Sequence, residues 1–176
     1  VVQGDCSNTH ALMESIQFEG GRPIPFNYPY DRSEKALRFE LERLAEKLGT
    51  TLTAAEKVRA GLRPIREKLK RLDELTWRES KVSNFENHIW LVSSSDFCGD
   101  PEVFETRLDA FLADVHTRRP RSFDCRLAYV GVPPICPDLY EFLEDSDAQV
   151  VLNETQRQFS MPEPGNSLVE QYLNYT

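Results

Sequence analysis

Leucine recurs at positions 37, 41, 44 and 48, a four-three-four spacing that lines one face of a helix. Gly49 follows, where a glycine just past a helix end belongs. Thr53 and Glu56 stand three apart and read as a capping box that opens a second helix. Its apolar face runs through Val58, Leu62, Ile65, Leu69, Leu72 and Leu75. Two such stripes predict an antiparallel pair between 37–48 and 58–75, the second helix kinked at Pro64. Residues 85–92 predict another helix, with Ile89 and Leu91 as its apolar positions. Asp100-Pro101 is an N-cap followed by a first-turn proline, and predicts a helix that turns Val103, Phe104, Leu108, Phe111, Leu112 and Val115 inward. The basic run 118–121 reads as a linker.

The pattern changes at both ends of the chain. Residues 1–3 read as the end of a strand, and 4–8 as a turn rich in cap formers. A helix over 9–18 should bury Leu12, Met13 and Ile16, and Gly20-Gly21 stops it. The extended stretch 23–26 carries prolines suited to an edge strand. A second unit repeats this order, with a buried strand over 126–132, a proline-rich turn at 133–137 and a helix over 138–144. That helix should turn Leu139, Phe142 and Leu143 inward, and a strand over 149–152 follows. Two strand–turn–helix–strand units imply parallel pairing. The expected class is therefore α/β, divided as 1–30, a helical segment 31–120, and 121–176. The chain has no initiator methionine and stops inside a helical run, 168–175, so it reads as a segment of a longer protein.

Composition narrows the function classes. Of the 176 residues, 40% are hydrophobic and 28% charged, which is globular rather than disordered. A formal net charge of -8 repels phosphate backbones and argues against a nucleic-acid partner. No apolar run reaches the ~20 residues that span a bilayer, and no signal-peptide pattern opens the chain, so a cytoplasmic setting is expected. The four cysteines, Cys6, Cys98, Cys125 and Cys136, form no C-x-x-C pair and read as reduced thiols or ligands.

Ligands of open α/β sheets bind beyond the carboxyl ends of the strands. That rule selects 5–8, 134–136 and 153–158. Cys6 is the first candidate, because a thiol at a helix N-terminus is favoured as thiolate. The competing reading is an inert thiol packed in a turn. Cys136 sits comparably in the second unit, but prolines on both sides remove N–H donors and favour a packing role. Cys125 opens a strand, and Cys98 lies in a loop. His10 follows Cys6 by four residues, a weak sign of a metal pair. His88 and His116 have no cysteine or carboxylate arranged around them in sequence. There is neither a G-x-G-x-x-G fingerprint nor a P-loop.

The order of short motifs carries a resemblance. Gly4-Asp5-Cys6-Ser7-Asn8-Thr9 closes a strand, and Ile24-Pro25-Phe26-Asn27-Tyr28-Pro29-Tyr30-Asp31 follows. After the helical segment come Tyr129-Val130-Gly131-Val132-Pro133, Leu139-Tyr140-Glu141-Phe142-Leu143-Glu144 and Val150-Val151-Leu152-Asn153-Glu154. Over nearly the whole chain this resembles the D-component family of 2-hydroxyacyl-CoA dehydratases, which includes benzoyl-CoA reductase subunits. The resemblance implies two Rossmann-like domains bridged by helices, with a [4Fe–4S] cluster between them. It also implies an ATP-dependent activator protein, a second dehydratase subunit and an acyl-CoA substrate. The implied reaction is that of a lyase: radical elimination of water in anaerobic metabolism. Cys6 matches a family cluster ligand, the one cofactor-binding and metal position carried over. A later family ligand falls in a cysteine-bearing run that here reads Asn153-Glu154-Thr155-Gln156. The 176-residue chain alone is therefore expected to hold no cluster and to be inactive. The alternatives are a non-catalytic paralogue acting as a binding partner, and an iron–sulfur electron-transfer or reductase subunit.

Overall fold

The computed structural model describes residues 2–3, 7–136 and 138–174. In chain order these form β1 (Val2–Gln3), α1 (Ser7–Phe18), β2 (Phe26–Asn27), α2 (Glu34–Lys47), α3 (Leu52–Trp77) and α4 (Asn84–Ser93). A single 3-10 turn, Phe97–Gly99, leads to α5 (Pro101–Thr117). There follow β3 (Cys125–Tyr129), α6 (Leu139–Asp145), β4 (Ala148–Asn153), α7 (Glu154–Phe159) and α8 (Leu168–Asn174). β1 pairs with β2 and β3 with β4, both in parallel, and each pair encloses a helix between its strands. The class is α/β, two partial strand–helix–strand units joined by helices. Two compact units emerge: 1–61 with 165–176, and 62–164. Their boundary falls inside α3, between Gly61 and Leu62, and the helix continues through Pro64.

In the first unit, Leu37, Leu41 and Val169 form a core ringed by Phe26, Tyr28, Leu52, Leu168, Tyr172 and Leu173. The Tyr28 hydroxyl donates to the Tyr172 carbonyl at 2.6 Å, tying α8 to the loop after β2. α2 ends in a Schellman motif: Thr50 N–H reaches the Ala45 carbonyl at 2.9 Å and Gly49 N–H the Glu46 carbonyl at 3.0 Å, with Gly49 at φ +73°. That termination puts Leu48 at the cap, exposed, and Ala45 takes a place on the buried face. The expected capping box at Thr53 does not form. Thr51 caps α3 instead, its hydroxyl accepting from Ala54 N–H at 3.2 Å. Glu56 is turned to other partners, Arg59 at 2.7 Å and the Leu168 N–H. In α1, Met13 is buried but Leu12 and Ile16 are exposed. A pair of two-residue strands is too narrow to cover a whole helix face.

In the second unit, the α3 stripe supplies Ile65, Leu69, Leu72 and Leu75 to a core completed by Val82, Leu91, Phe97, Phe104, Leu108 and Val115. The antiparallel pair expected of 37–48 with 58–75 is thus not how the stripes are spent. The α2 leucines belong to the first core, the α3 stripe packs with α4 and α5, and Val58 is exposed. Val103 and Phe142, expected inside, are also exposed, as is the apolar Ile89. β3 was expected to be buried over 126–132. It is shorter and largely exposed, because among the described residues β4 flanks it on one side only.

Caps and ion pairs fix the connections. Asp100 Oδ1 accepts from the N–H groups of Glu102 and Val103, both at 3.1 Å, with Pro101 at the first position of α5. Ser83 and Glu86 form a capping box on α4, with reciprocal bonds of 3.1 and 2.9 Å. The basic run 118–121 is anchored: Arg118 meets Glu86 at 2.8 Å, and Arg121 meets Glu144 at 2.8 Å. Burial alone would raise the Glu86 carboxyl, but the hydrogen bonds from Arg118 and Ser83 outweigh it and hold its pKa below 4.5. A carboxyl depressed on folding stabilises the fold above its unfolded pKa, and that contribution is lost as pH falls through the folded value. Glu86→Gln is expected to cost about 1–2 kcal/mol near neutrality. The gap between the two proteins should narrow as pH falls below about 4.5 and through the lower folded value. Urea unfolding across that range is the check, and a gap independent of pH would contradict the assignment.

Candidate functional site at the carboxyl end of the second strand pair

β3 and β4 run in register from Cys125↔Ala148 to Tyr129↔Asn153, with an irregularity between Leu127 and Ala128. Their carboxyl ends therefore finish together, at Tyr129 and Asn153. α7 begins directly after β4, so Asn153 stands at both a strand end and a helix start. Helical spacing carries Gln156 to the inner side of α7, where it is fully buried. α6 contributes Tyr140, and α4 contributes Asn84 and Asn87, three residues apart on its buried face.

These groups form a continuous lattice. The Tyr140 hydroxyl donates to Asn153 Oδ1 at 3.1 Å and accepts from Gln156 Nε2 at 3.2 Å. Asn153 Nδ2 donates to Asn87 Oδ1 at 3.3 Å. Asn87 Nδ2 donates to Asp73 Oδ1 and to Thr76 Oγ1, each at 3.1 Å. Arg157 Nε lies 2.9 Å from the other Asp73 oxygen, an ion pair without hydrogen-bond alignment at that nitrogen. Gln149 Nε2 closes one flank on the Thr76 carbonyl at 2.9 Å. His88 Nδ1 lies 3.3 Å from the Tyr140 hydroxyl. That hydroxyl has one proton, and with Asn153 receiving it, the His88 tautomer that completes the set carries its proton on Nδ1.

The inner lattice is neutral. Burial, reinforced by nearby Tyr129, pushes the Tyr140 phenol up to about 12. Burial pushes His88 below 6.5, so the imidazole stays uncharged near neutrality. The Tyr140 phenol therefore stays protonated near neutrality, and the His88 imidazole is neutral beside it. What the lattice can do is hold the strand end rigid and present amide groups. Both side-chain polar atoms of Asn84, and Gln156 Oε1, are buried without a hydrogen-bond partner among the described residues. Beyond the strand ends, Gly131 N–H donates to Glu154 Oε2 at 3.2 Å, and the Thr155 hydroxyl donates to the Gly131 carbonyl at 2.6 Å. These bonds pin the loop after β3, in which Val130, Val132 and Ile135 are exposed, as is Phe142 on α6.

The structure treats the sequence candidates unequally. Of the three strand-end stretches, 153–158 is built into the lattice. Cys136 is exposed after β3, Cys125 is exposed at the opposite end of that strand, and Cys98 is exposed in the 3-10 turn. His10 is exposed, 3.7 Å from Glu14. Cys6 lies outside the described residues, as do Gly4 and Asp5; the flanking strand ends at Gln3 and the helix begins at Ser7. Asn84, Asn87 and Tyr140 were not among the candidates. The one local signal that could have placed the start of α4 is the Ser83-x-x-Glu86 capping box, which the apolar pattern of 85–92 did not use.

Parallel strand–helix–strand pairing with a polar strand end defines an α/β protein of the kind that places ligands beyond its strands. The family model for 2-hydroxyglutaryl-CoA dehydratase, D-component, matches residues 1–176, the whole chain. The chain belongs to this family, whose members work as components with partner subunits. No curated protein and no solved structure matches it. Among the described residues no helix is long and apolar enough to cross a membrane.

The resemblance implies a [4Fe–4S] cluster. Among the described residues, no three of His, Cys, Asp and Glu stand together as a metal site. The strand end at 153–156 offers amides, hydroxyl and carboxylate rather than thiolate, and Asn153 is already committed to Tyr140 and Asn87. These described donors do not fit an iron–sulfur cluster, which takes thiolates.

Proposed function

We propose that the chain is part of a cytoplasmic 2-hydroxyacyl-CoA dehydratase-like enzyme, a lyase component handling an acyl-CoA. In this reading the chain contributes to two Rossmann-like domains, one around β1 and β2 and one around β3 and β4, with helices between them. The family match over the whole chain carries the proposal. The ordered strand end after β3 and β4 supports it, because that is where open α/β sheets hold substrates. The exposed apolar residues of the loop after β3, Val130, Val132 and Ile135, are where such a component would meet a second dehydratase subunit. An ATP-dependent activator protein is the implied electron source. Cys6, at a position that matches a family cluster ligand, is the one residue of this chain assigned as a [4Fe–4S] ligand.

Anaerobic reconstitution of the full-length protein with iron and sulfide tests the assignment. About four irons per chain are expected, with visible absorption, and both should fall on Cys6→Ala. The 176-residue chain alone should take up far less. Iron that survives Cys6→Ala would favour a differently ligated electron-transfer or reductase subunit. A full-length protein that binds no iron would be the non-catalytic paralogue, a reading favoured by the amide-lined strand end.

A further inference from the structure

α4, the 3-10 turn and α5 enclose a second feature, a cavity of about 370 Å³ in the second unit. Its walls are apolar: Ile89, Trp90, Phe97, Val103 and Phe104. Three of them interlock, Trp90 edge-on to Phe104 at 5.2 Å and Phe97 edge-on to Phe104 at 5.4 Å between ring centres. Interlocked rings make a rigid wall, so a ligand finds the shape preformed. A volume of this size suits a small organic molecule. The exposure of Ile89, and of Val103, which the helix pattern placed inward, is explained if these side chains form a binding rim.

Two ionic groups line the same cavity, Asp100 and Arg107. Their situations differ. Asp100 Oδ1 accepts two N–H groups at the start of α5, where the helix dipole also favours the carboxylate. Arg107 makes no hydrogen bond or ion pair among the described residues. The charge left to be answered is positive. A guanidinium fork matches a carboxylate geometrically, whereas a phosphate dianion would call for more than one cation.

We propose that this cavity binds a small monocarboxylic acid with an aromatic or branched aliphatic body, its carboxylate on Arg107 and its body against Trp90, Phe97 and Phe104. Cys98 lines the cavity and is exposed, so it reports occupancy. The site lies apart from the strand-end lattice, and its test is independent of the iron assay.

The experiment follows alkylation of each cysteine of the full chain by N-ethylmaleimide, resolved by peptide mass spectrometry. Phenylpropanoate is expected to slow Cys98 labelling at least about five-fold at saturation, with Cys125 and Cys136 unchanged as internal controls. The neutral phenylpropanamide should need about five-fold or more higher concentration for equal protection. Arg107→Gln should erase that preference and Arg107→Lys should keep part of it. Val103→Glu, which places a charge on the rim, should abolish protection by the acid. Labelling of Cys98 that neither compound slows would overturn the proposal. So would equal protection by acid and amide, or a preference that survives Arg107→Gln.

Discussion

Leu72→Ala is expected to destabilise the 62–164 unit by about 3–4 kcal/mol, the largest loss foreseen for a single side chain here. Leu72 is completely buried, on the α3 stripe between Leu69 and Leu75 and within the core that α4 and α5 complete. Alanine would remove three carbons and leave a cavity that helices on several sides cannot all collapse to fill. The chain's two tryptophans, Trp77 and Trp90, both lie in this unit, so fluorescence during urea unfolding reports on it directly. Phe142→Ala supplies the contrast. The helical pattern would place Phe142 inside, but it is 66% exposed, and its loss should cost under about 1 kcal/mol. Comparable losses from the two variants would mean that this core is wrongly described.

That contrast shows where sequence reading succeeds. A four-three stripe reports that a helix face is buried, and Leu37, Leu41, Ile65, Leu69, Leu72 and Leu75 are indeed buried. It does not report the partner, because any apolar face satisfies any other. The leucines of α2 and the stripe of α3 therefore looked like each other's complement, yet they serve different cores. Caps were legible where one residue could do the work, as at Asp100. They were misread where two threonines competed: Thr51 and Thr53 are both plausible, and the choice depends on Glu56 being drawn to Arg59 and Leu168. Short helices were the least legible. In α6 only Tyr140 is buried, so a pattern of three inward residues overstated what a seven-residue helix on a two-stranded sheet can cover.

The candidate site was half legible. The rule for open sheets pointed to 153–158, and Asn153 and Gln156 there are buried and bonded. The other half consists of asparagines on α4 and a tyrosine on α6. Asparagine ranks as a surface residue by type, and nothing local distinguishes one that is buried. Asn87 is tolerated inside because Asp73, Thr76 and Asn153 each answer one of its atoms, and they come from α3 and β4. Such a lattice exists only once the chain has folded, so a scan for chemistry residue by residue passes over it.

Its central group is Tyr140, and Tyr140→Phe is the second large effect expected. The substitution removes one oxygen and almost no volume, so packing should survive. Asn153 Oδ1 would lose its donor and Gln156 Nε2 its acceptor, both inside the protein. Gln156 Oε1 is already without a partner, so that side chain would be left with no hydrogen bond in the lattice. Buried polar groups left unpaired cost about 1–3 kcal/mol each, and partial relaxation should bring the total to about 2–3 kcal/mol. Tyr129→Phe is the matched control: its hydroxyl donates to the Val132 carbonyl at 2.9 Å in an exposed setting where water can replace it, so a loss under about 0.5 kcal/mol is expected. Amide hydrogen exchange at β4 and α7 gives a second readout, since a loosened lattice should open the strand end locally before the whole unit unfolds. If Tyr140→Phe is no costlier than Tyr129→Phe and exchange at Asn153 to Gln156 is unchanged, the lattice is not what orders this strand end.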